Sequence, residues 1–150
     1  MKLNFDIWER HETVARQLLW WSALSVAAGL ALFLPDNPFL RGFGLQAIVW
    51  GAIDAAIAWI GRLKTRQRHA VLSDPADPEI VAGETRKLRR LLLINAGLDV
   101  LYVAGGLLWT QRAESEFVRG NAWGVMLQGA FLFGFDLMHG LRLKARPPAR

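Results

Sequence analysis

The sequence predicts an all-α fold, a four-transmembrane-helix bundle built from two tandem helical hairpins with both termini cytoplasmic. Three observations predict it. Four long apolar stretches, at about 18–34, 43–61, 91–109 and 121–141, are separated by charged segments. Each approaches or meets the roughly 20 residues that a helix needs to cross a hydrocarbon core of about 30 Å. Secondly, fifteen of the 18 Lys and Arg residues fall before the first stretch, between the second and third, or after the fourth; only Arg41, Arg112 and Arg119 fall on the other side. This is the positive-inside asymmetry of a multi-pass membrane protein. The third observation is internal repetition. Arg41-Gly42 followed by Trp50-Gly51-Ala52 recurs 78 residues on as Arg119-Gly120 and Gln128-Gly129-Ala130, and Ala28-Gly29 with Leu32-Phe33 is echoed 76 residues on by Ala104-Gly105 with Leu108-Trp109. Two hairpins of even helix number, related by duplication, insert in the same orientation about an axis along the membrane normal.

Composition supports this reading over a soluble bundle. With 53% hydrophobic residues, segment 47–60 has only Asp54 as a charged residue and segment 91–109 only Asp99, so neither helix carries the polar stripe that a water-facing helix needs. By length the 150 residues form a single integral membrane domain. The net charge of +5 reflects topology rather than affinity for nucleic acid, with attraction to anionic headgroups as a by-product. Cysteine is absent, which excludes disulfides, thiolate metal sites and thiol redox chemistry. The charged segment 6–16 before the first apolar stretch, with no small-residue cleavage pattern after it, argues against a removed signal peptide.

Helix 1 is expected at about 5–34, entered through an interfacial segment in which Leu3, Phe5, Ile7 and Trp8 mix with Asp6, Glu9, Arg10 and Glu12. Asp36-Asn37-Pro38 marks a turn before helix 2, at about 42–63. There Ala47, Gly51 and Ala55 form a small-residue ladder for close approach by a partner, either within the chain or in a second copy, and it motivates an expected homodimer. A long central loop opens with the basic run 62–68. Helix 3, at about 78–110, starts with Asp77 as N-cap, Pro78 at the first helical position and Glu79 at the positive helix end, and runs past Arg89-Arg90 into the membrane. Helix 4 follows at about 119–143, and the tail 145–150, with Pro147-Pro148, reads as disordered. Trp8, Trp20, Trp21, Trp59, Trp109 and Trp123 suit interfacial anchoring, and Trp50 lies deeper, one turn from Asp54.

The candidate polar site is Asp54, Asn95, Asp99, Tyr102, Gln128, Asp136 and His139. Asp54 lies eight residues before Arg62 and Asp99 nine after Arg90, so both stand roughly 12 to 13 Å from the basic layer at 1.5 Å per residue. Asp136 is nearer that layer and His139 one turn further. A mid-bilayer charge costs at least about 2.5 to 3.5 kcal/mol on insertion scales, so these groups face one another, a cavity or a partner. Asn95, Asp99 and Tyr102 share one face of helix 3, and Asn121, Gln128 and His139 share a direction on helix 4, so the two stripes are placed to meet. Asp99 is expected to bond with Gln128 or a backbone carbonyl, so that Asp99→Leu destabilises the bundle by stranding its partners.

No catalytic, cofactor or metal assignment emerges, and an enzyme is not expected. His11-Glu12 lacks the second histidine of a zinc helix, Ser22 and Ser25 lack a nucleophile-elbow pattern, and no phosphate-cradling loop is present. Two readings of the carboxylates stay open. One is a site that binds or moves a proton, an ion or a small amphiphile. The other is a non-catalytic membrane scaffold or accessory subunit in which each buried Asp only fixes helix register.

Leu-Leu-Leu-Ile-Asn-Ala-Gly-Leu-Asp-Val-Leu-Tyr-Val-Ala-Gly-Gly over 91–106, with Gln-Gly-Ala-Phe-Leu-Phe-Gly-Phe-Asp-Leu-Met-His over 128–139, resembles a family of small bacterial four-helix membrane proteins of unknown function. The resemblance implies a bacterial inner-membrane, multi-pass setting; the expected contacts, the lipid bilayer and self-association or a membrane protein partner, follow instead from the apolar spans and the small-residue ladder. It supplies no activity and no cofactor. In size and helix count the chain is also similar to small multidrug transporters, but it lacks their membrane-embedded Glu in helix 1.

Overall fold

Each helix starts where a side chain satisfies the first free backbone N–H groups. In the structure, a computed structural model describing residues 6–143, Asp6 accepts from the Trp8 and Glu9 amides, Asn37 from Leu40, Asp77 from Glu79 and Ile80, and Ser115 from Val118. Pro38 and Pro78 follow their caps, at a position where the missing N–H costs nothing. The resulting helices are α1 (Ile7–Ala31), α2 (Pro38–Val71), α3 (Pro78–Gln111) and α4 (Glu116–Arg142), with no strand among the described residues. The expected helix start at residue 5 and the tail 145–150 lie outside the described residues.

Three helices, α2, α3 and α4, are long and apolar enough to cross a membrane. α1 is not among them, and it ends short of the expected residue 34. It stops at Ala31, and the amides of Phe33 and Leu34 bond back to Leu30 and Ala31 in tight turns, because Pro35 disfavours helical geometry in the residue before it.

A second correction concerns the basic run 62–68, which is helical rather than loop. α2 continues to Val71, since Leu, Lys, Arg and Gln are good helix formers and acidic partners stand opposite the run. Arg62 and Arg66 both bond to Glu12 of α1, and Arg68 bonds to Glu84 of α3 at 2.6 Å. At 34 residues each, α2 and α3 are about 51 Å long. Only 72–77 connects them.

The hairpins α1/α2 and α3/α4 are each tightly packed, and α2 against α4 makes the main seam between them. Glycines allow the close approaches. A Cβ on Gly51 would lie 2.9 Å from the Ser22 backbone carbonyl oxygen and 3.2 Å from Ser25 Cβ; one on Gly129 would lie 3.2 Å from the Asp99 backbone carbonyl oxygen and 3.0 Å from Tyr102 Cβ. The second hairpin thus repeats the first, with Asp99 in the place of Ser22 and Tyr102 in that of Ser25. The repeat register also needs correcting. The counterpart of Gly29, which abuts Gly44 and Ile48, is Gly106 against Ala122 and Met126, whereas Gly105 faces open space. α1 and α3 therefore correspond at 77 residues, not 76. Gly51 packs on α1 of its own chain and Ala47 is buried, so this part of the small-residue ladder is used within the hairpin.

Polarity runs opposite to that of a water-soluble bundle. Asp54, Asp99, Gln128, Asp136 and His139 are buried, while Leu24, Ile57 and Leu101 face outward, Leu101 at 65% exposure. Among the described residues, a cluster of apolar side chains packs toward the basic end, formed by Ile7, Val14, Leu88, Leu92, Phe135 and Leu143.

Candidate functional site

Helical periodicity places the three carboxylates inside. On α2, Asp54 shares the buried face with Ala47, Gly51 and Ala58; on α3, Asp99 shares it with Leu92, Ala96 and Gly106; on α4, Asp136 shares it with Gln128, Leu132 and His139. Asp54 and Asp99 are only 3% and 4% exposed. The three come close enough for the charge of each to act on another, Asp54 with Asp99 and Asp136 with both. Asn95 stands beside Asp136. Oδ2 of Asp54 and Oδ2 of Asp99 are buried with no hydrogen-bond partner. Among the described residues no Lys or Arg forms an ion pair with any of the three, and no group of three His, Asp or Glu side chains is placed to hold a metal ion.

The remaining candidates lie apart from this cluster. Gln128 does not bond to Asp99: its Oε1 accepts from Trp21 Nε1 at 3.0 Å and its Nε2 donates to Ser25 Oγ at 3.3 Å, both on α1. Leucine at position 99 would therefore strand no partner there, which corrects the expectation from sequence. Tyr102 is 40% exposed, and its ring meets that of Trp50 edge-on at 4.9 Å. Trp50 is thus engaged by an aromatic neighbour, one turn from Asp54. His139 pairs through Nε2 with Gln17 Oε1 at 2.9 Å, packs on the ring of Phe135, and leaves Nδ1 without a partner.

Sequence reasoning missed the α1 side of this network, namely Gln17, Trp21 and Ser25. The available signal was the pair Ser22 and Ser25 within the otherwise apolar second half of the helix. Gln46 was missed as well; its Nε2 donates to Asn121 Oδ1 at 2.8 Å across the α2/α4 seam.

Electrostatics at the basic end differ in kind, since the carboxylates Glu12 and Glu84 have basic partners there. Hydrogen bonds from Arg62, reinforced by Arg66, hold the Glu12 carboxyl below its ordinary value. Burial acts to raise that of Glu84, but Lys87 and Arg68 together outweigh it and the net displacement is downward. His11 is lowered, chiefly by burial against a smaller opposing effect of Glu84, and its Nε2 has no partner.

No curated protein and no solved structure matches this chain. A family model described as a family of unknown function (DUF6992) matches residues 17–137, a stretch that includes every candidate site residue except His139, and the chain belongs to that family.

Proposed function

We propose that this chain is a multi-pass protein of a bacterial inner membrane, with four spanning helices and both termini cytoplasmic, in which Asp54, Asp99 and Asp136 form a proton-binding site. Support for the bilayer comes from the outward-facing apolar side chains and the one-sided distribution of Lys and Arg. α1 belongs to the same layer on this reading, because Gly29 and Ser22 pack against α2 within its apolar stretch.

The observation that carries the proposal is the pair of partnerless buried oxygens, Asp54 Oδ2 and Asp99 Oδ2, in a cluster without a basic counter-charge. Buried polar groups ordinarily have partners, and ionised carboxylates in a low-dielectric interior need a compensating charge. A proton removes the charge and with it the need for a counter-ion. Multidentate metal binding is disfavoured by the absence, among the described residues, of three ligating side chains placed around one point. Infrared difference spectra between acid and alkaline pH, recorded on the protein in lipid, test this. Bands of protonated carboxylic acids are expected, diminished in Asp54→Asn, Asp99→Asn and Asp136→Asn; their absence refutes the site.

The scaffold reading is favoured by a different observation. Trp21, Ser25 and Gln128, and likewise Gln46 and Asn121, are satisfied pairs between helices, and such bonds fix helix pairing without further activity. Self-association or a membrane protein partner belongs with this reading. Loss of a proton-linked signal in a folded Asp99→Asn variant decides for the first reading, and its retention for the second.

A further inference from the structure

We propose that Arg86, Arg89 and Arg90, standing above Leu93 and Ile94 on α3, form a binding site for the phosphate headgroup and upper acyl chain of an anionic lipid. This inference rests on the membrane reading. These five residues line a groove of about 380 Å³. Their spacing, three, four, seven and eight residues on from Arg86, puts them on one side of the helix.

The charge there is unmatched. Glu84, the buried carboxylate of the same helix segment, is occupied by Arg68 and Lys87. Among the described residues, Arg86, Arg89 and Arg90 have no carboxylate partner, and the buried Nε of Arg89 has no hydrogen-bond partner. Guanidinium groups present planar forks that match phosphate oxygens, so three of them favour a phosphate over a lone carboxylate.

The groove's lower part argues for a lipid. Leu93 is held against Gly140 of α4, and Ile94 is half exposed. These residues begin the apolar run 91–109, whereas the arginines immediately precede it. The groove therefore straddles the level at which a headgroup gives way to hydrocarbon. A free phosphate meets only the arginines, and a zwitterionic headgroup also brings a cation among them. An anionic phospholipid satisfies both parts.

The test is native mass spectrometry of the full chain in mild detergent, titrated separately with phosphatidylglycerol, phosphatidylcholine and inorganic phosphate. Phosphatidylglycerol is expected to bind most tightly, with a loss of about fivefold per arginine replaced and roughly 100-fold for Arg86→Gln/Arg89→Gln/Arg90→Gln combined. Lys64→Gln, which removes an exposed charge of α2 outside the groove, is expected to change binding little. Single variants, with helix content checked by circular dichroism, keep the test decisive if the triple variant does not fold. Equal binding of the two lipids, unchanged binding in Arg90→Gln and Arg89→Gln, or displacement of phosphatidylglycerol by equimolar inorganic phosphate overturns the lipid site. Recovery of the protein as a monomer without detergent overturns the membrane reading itself, and so separates the two failures.

Discussion

Gly42 and Gly120 are packed reciprocally. A Cβ on Gly42 would strike the backbone carbonyl of Phe117, three residues before Gly120; a Cβ on Gly120 would strike that of Phe39, three residues before Gly42. The repeated Arg-Gly pair is therefore the point at which α2 and α4 touch backbone to backbone. Neither helix can yield by rotating a side chain. Gly42→Ala and Gly120→Ala are each expected to destabilise the protein by about 1–3 kcal/mol, the usual cost of overpacking. Gly97→Ala and Gly134→Ala, where an added Cβ meets nothing within 4 Å, are expected to be neutral or to gain up to about 1 kcal/mol from helix propensity. Thermal unfolding in one detergent compares all four; equal effects would mean that the seam is not tightly packed.

Asp99 gives a prediction opposite to the one its sequence context suggests. Its Oδ2 is buried and partnerless, and Gln128 is bonded to Trp21 and Ser25 instead. Replacing an unsatisfied buried group by an apolar one removes a cost of about 1–3 kcal/mol. Asp99→Leu is thus expected to raise the thermal midpoint, and Asp99→Asn to leave it nearly unchanged. A lower midpoint in Asp99→Leu would reveal a partner that the carboxyl requires. Stabilisation combined with loss of the proton signal would mark Asp99 as a residue retained for activity at the expense of stability.

Acid sensitivity is expected from the basic end. His11 has its folded value below its ordinary 6.5, so the unfolded chain takes up this proton first and stability falls as pH drops below about 6.5. Glu12 and Glu84 lie below their ordinary 4.5. Their contributions are present above that pH and are lost as pH falls through the folded values. All three act in the same direction, giving a two-stage decline. His11→Gln is expected to flatten the upper stage and Glu12→Gln part of the lower, as read from unfolding midpoints against pH. A His11→Gln or Glu12→Gln variant whose midpoint follows pH just as the parent's does would contradict the assignment.

Topology can be tested with unusual economy because the chain has no cysteine. Ser73→Cys in the α2/α3 connection and Glu114→Cys in the α3/α4 connection both introduce exposed thiols. On the proposed orientation, a membrane-impermeant thiol reagent added to intact cells labels position 114 and reaches position 73 only after lysis. The reverse pattern would place both termini outside, and labelling of both sites in intact cells would remove the four-span arrangement.

The existence of the helices and the start of α3 at Asp77-Pro78 are legible in the sequence because each is local, and apolar periodicity sets the face on which Asp54, Asp99 and Asp136 lie. Asn37-Pro38 reads there only as a turn, whereas in the structure Asn37 caps α2 and the helix begins at Pro38 rather than near residue 42. The extent of α2 was not legible, since a basic run reads alike as loop or helix until Glu12 and Glu84, distant in sequence, stand opposite it. The end of α1 was signalled by Pro35, whose restriction on the preceding residue outweighs the apolar character of Leu32, Phe33 and Leu34.

By itself, then, the sequence determined an all-helical chain with carboxylates on buried faces, because propensity, capping and hydrophobic period act within a few residues. Only the tertiary structure decided which polar groups meet. Gln128 went to Trp21 and Ser25, Tyr102 to Trp50 and His139 to Gln17, while Oδ2 of Asp54 and Oδ2 of Asp99 were left buried without a partner. Those choices follow from the reciprocal approach of Gly42 and Gly120, which sets how the two hairpins lie against each other, and a helix's own sequence carries no record of its neighbour's rotation.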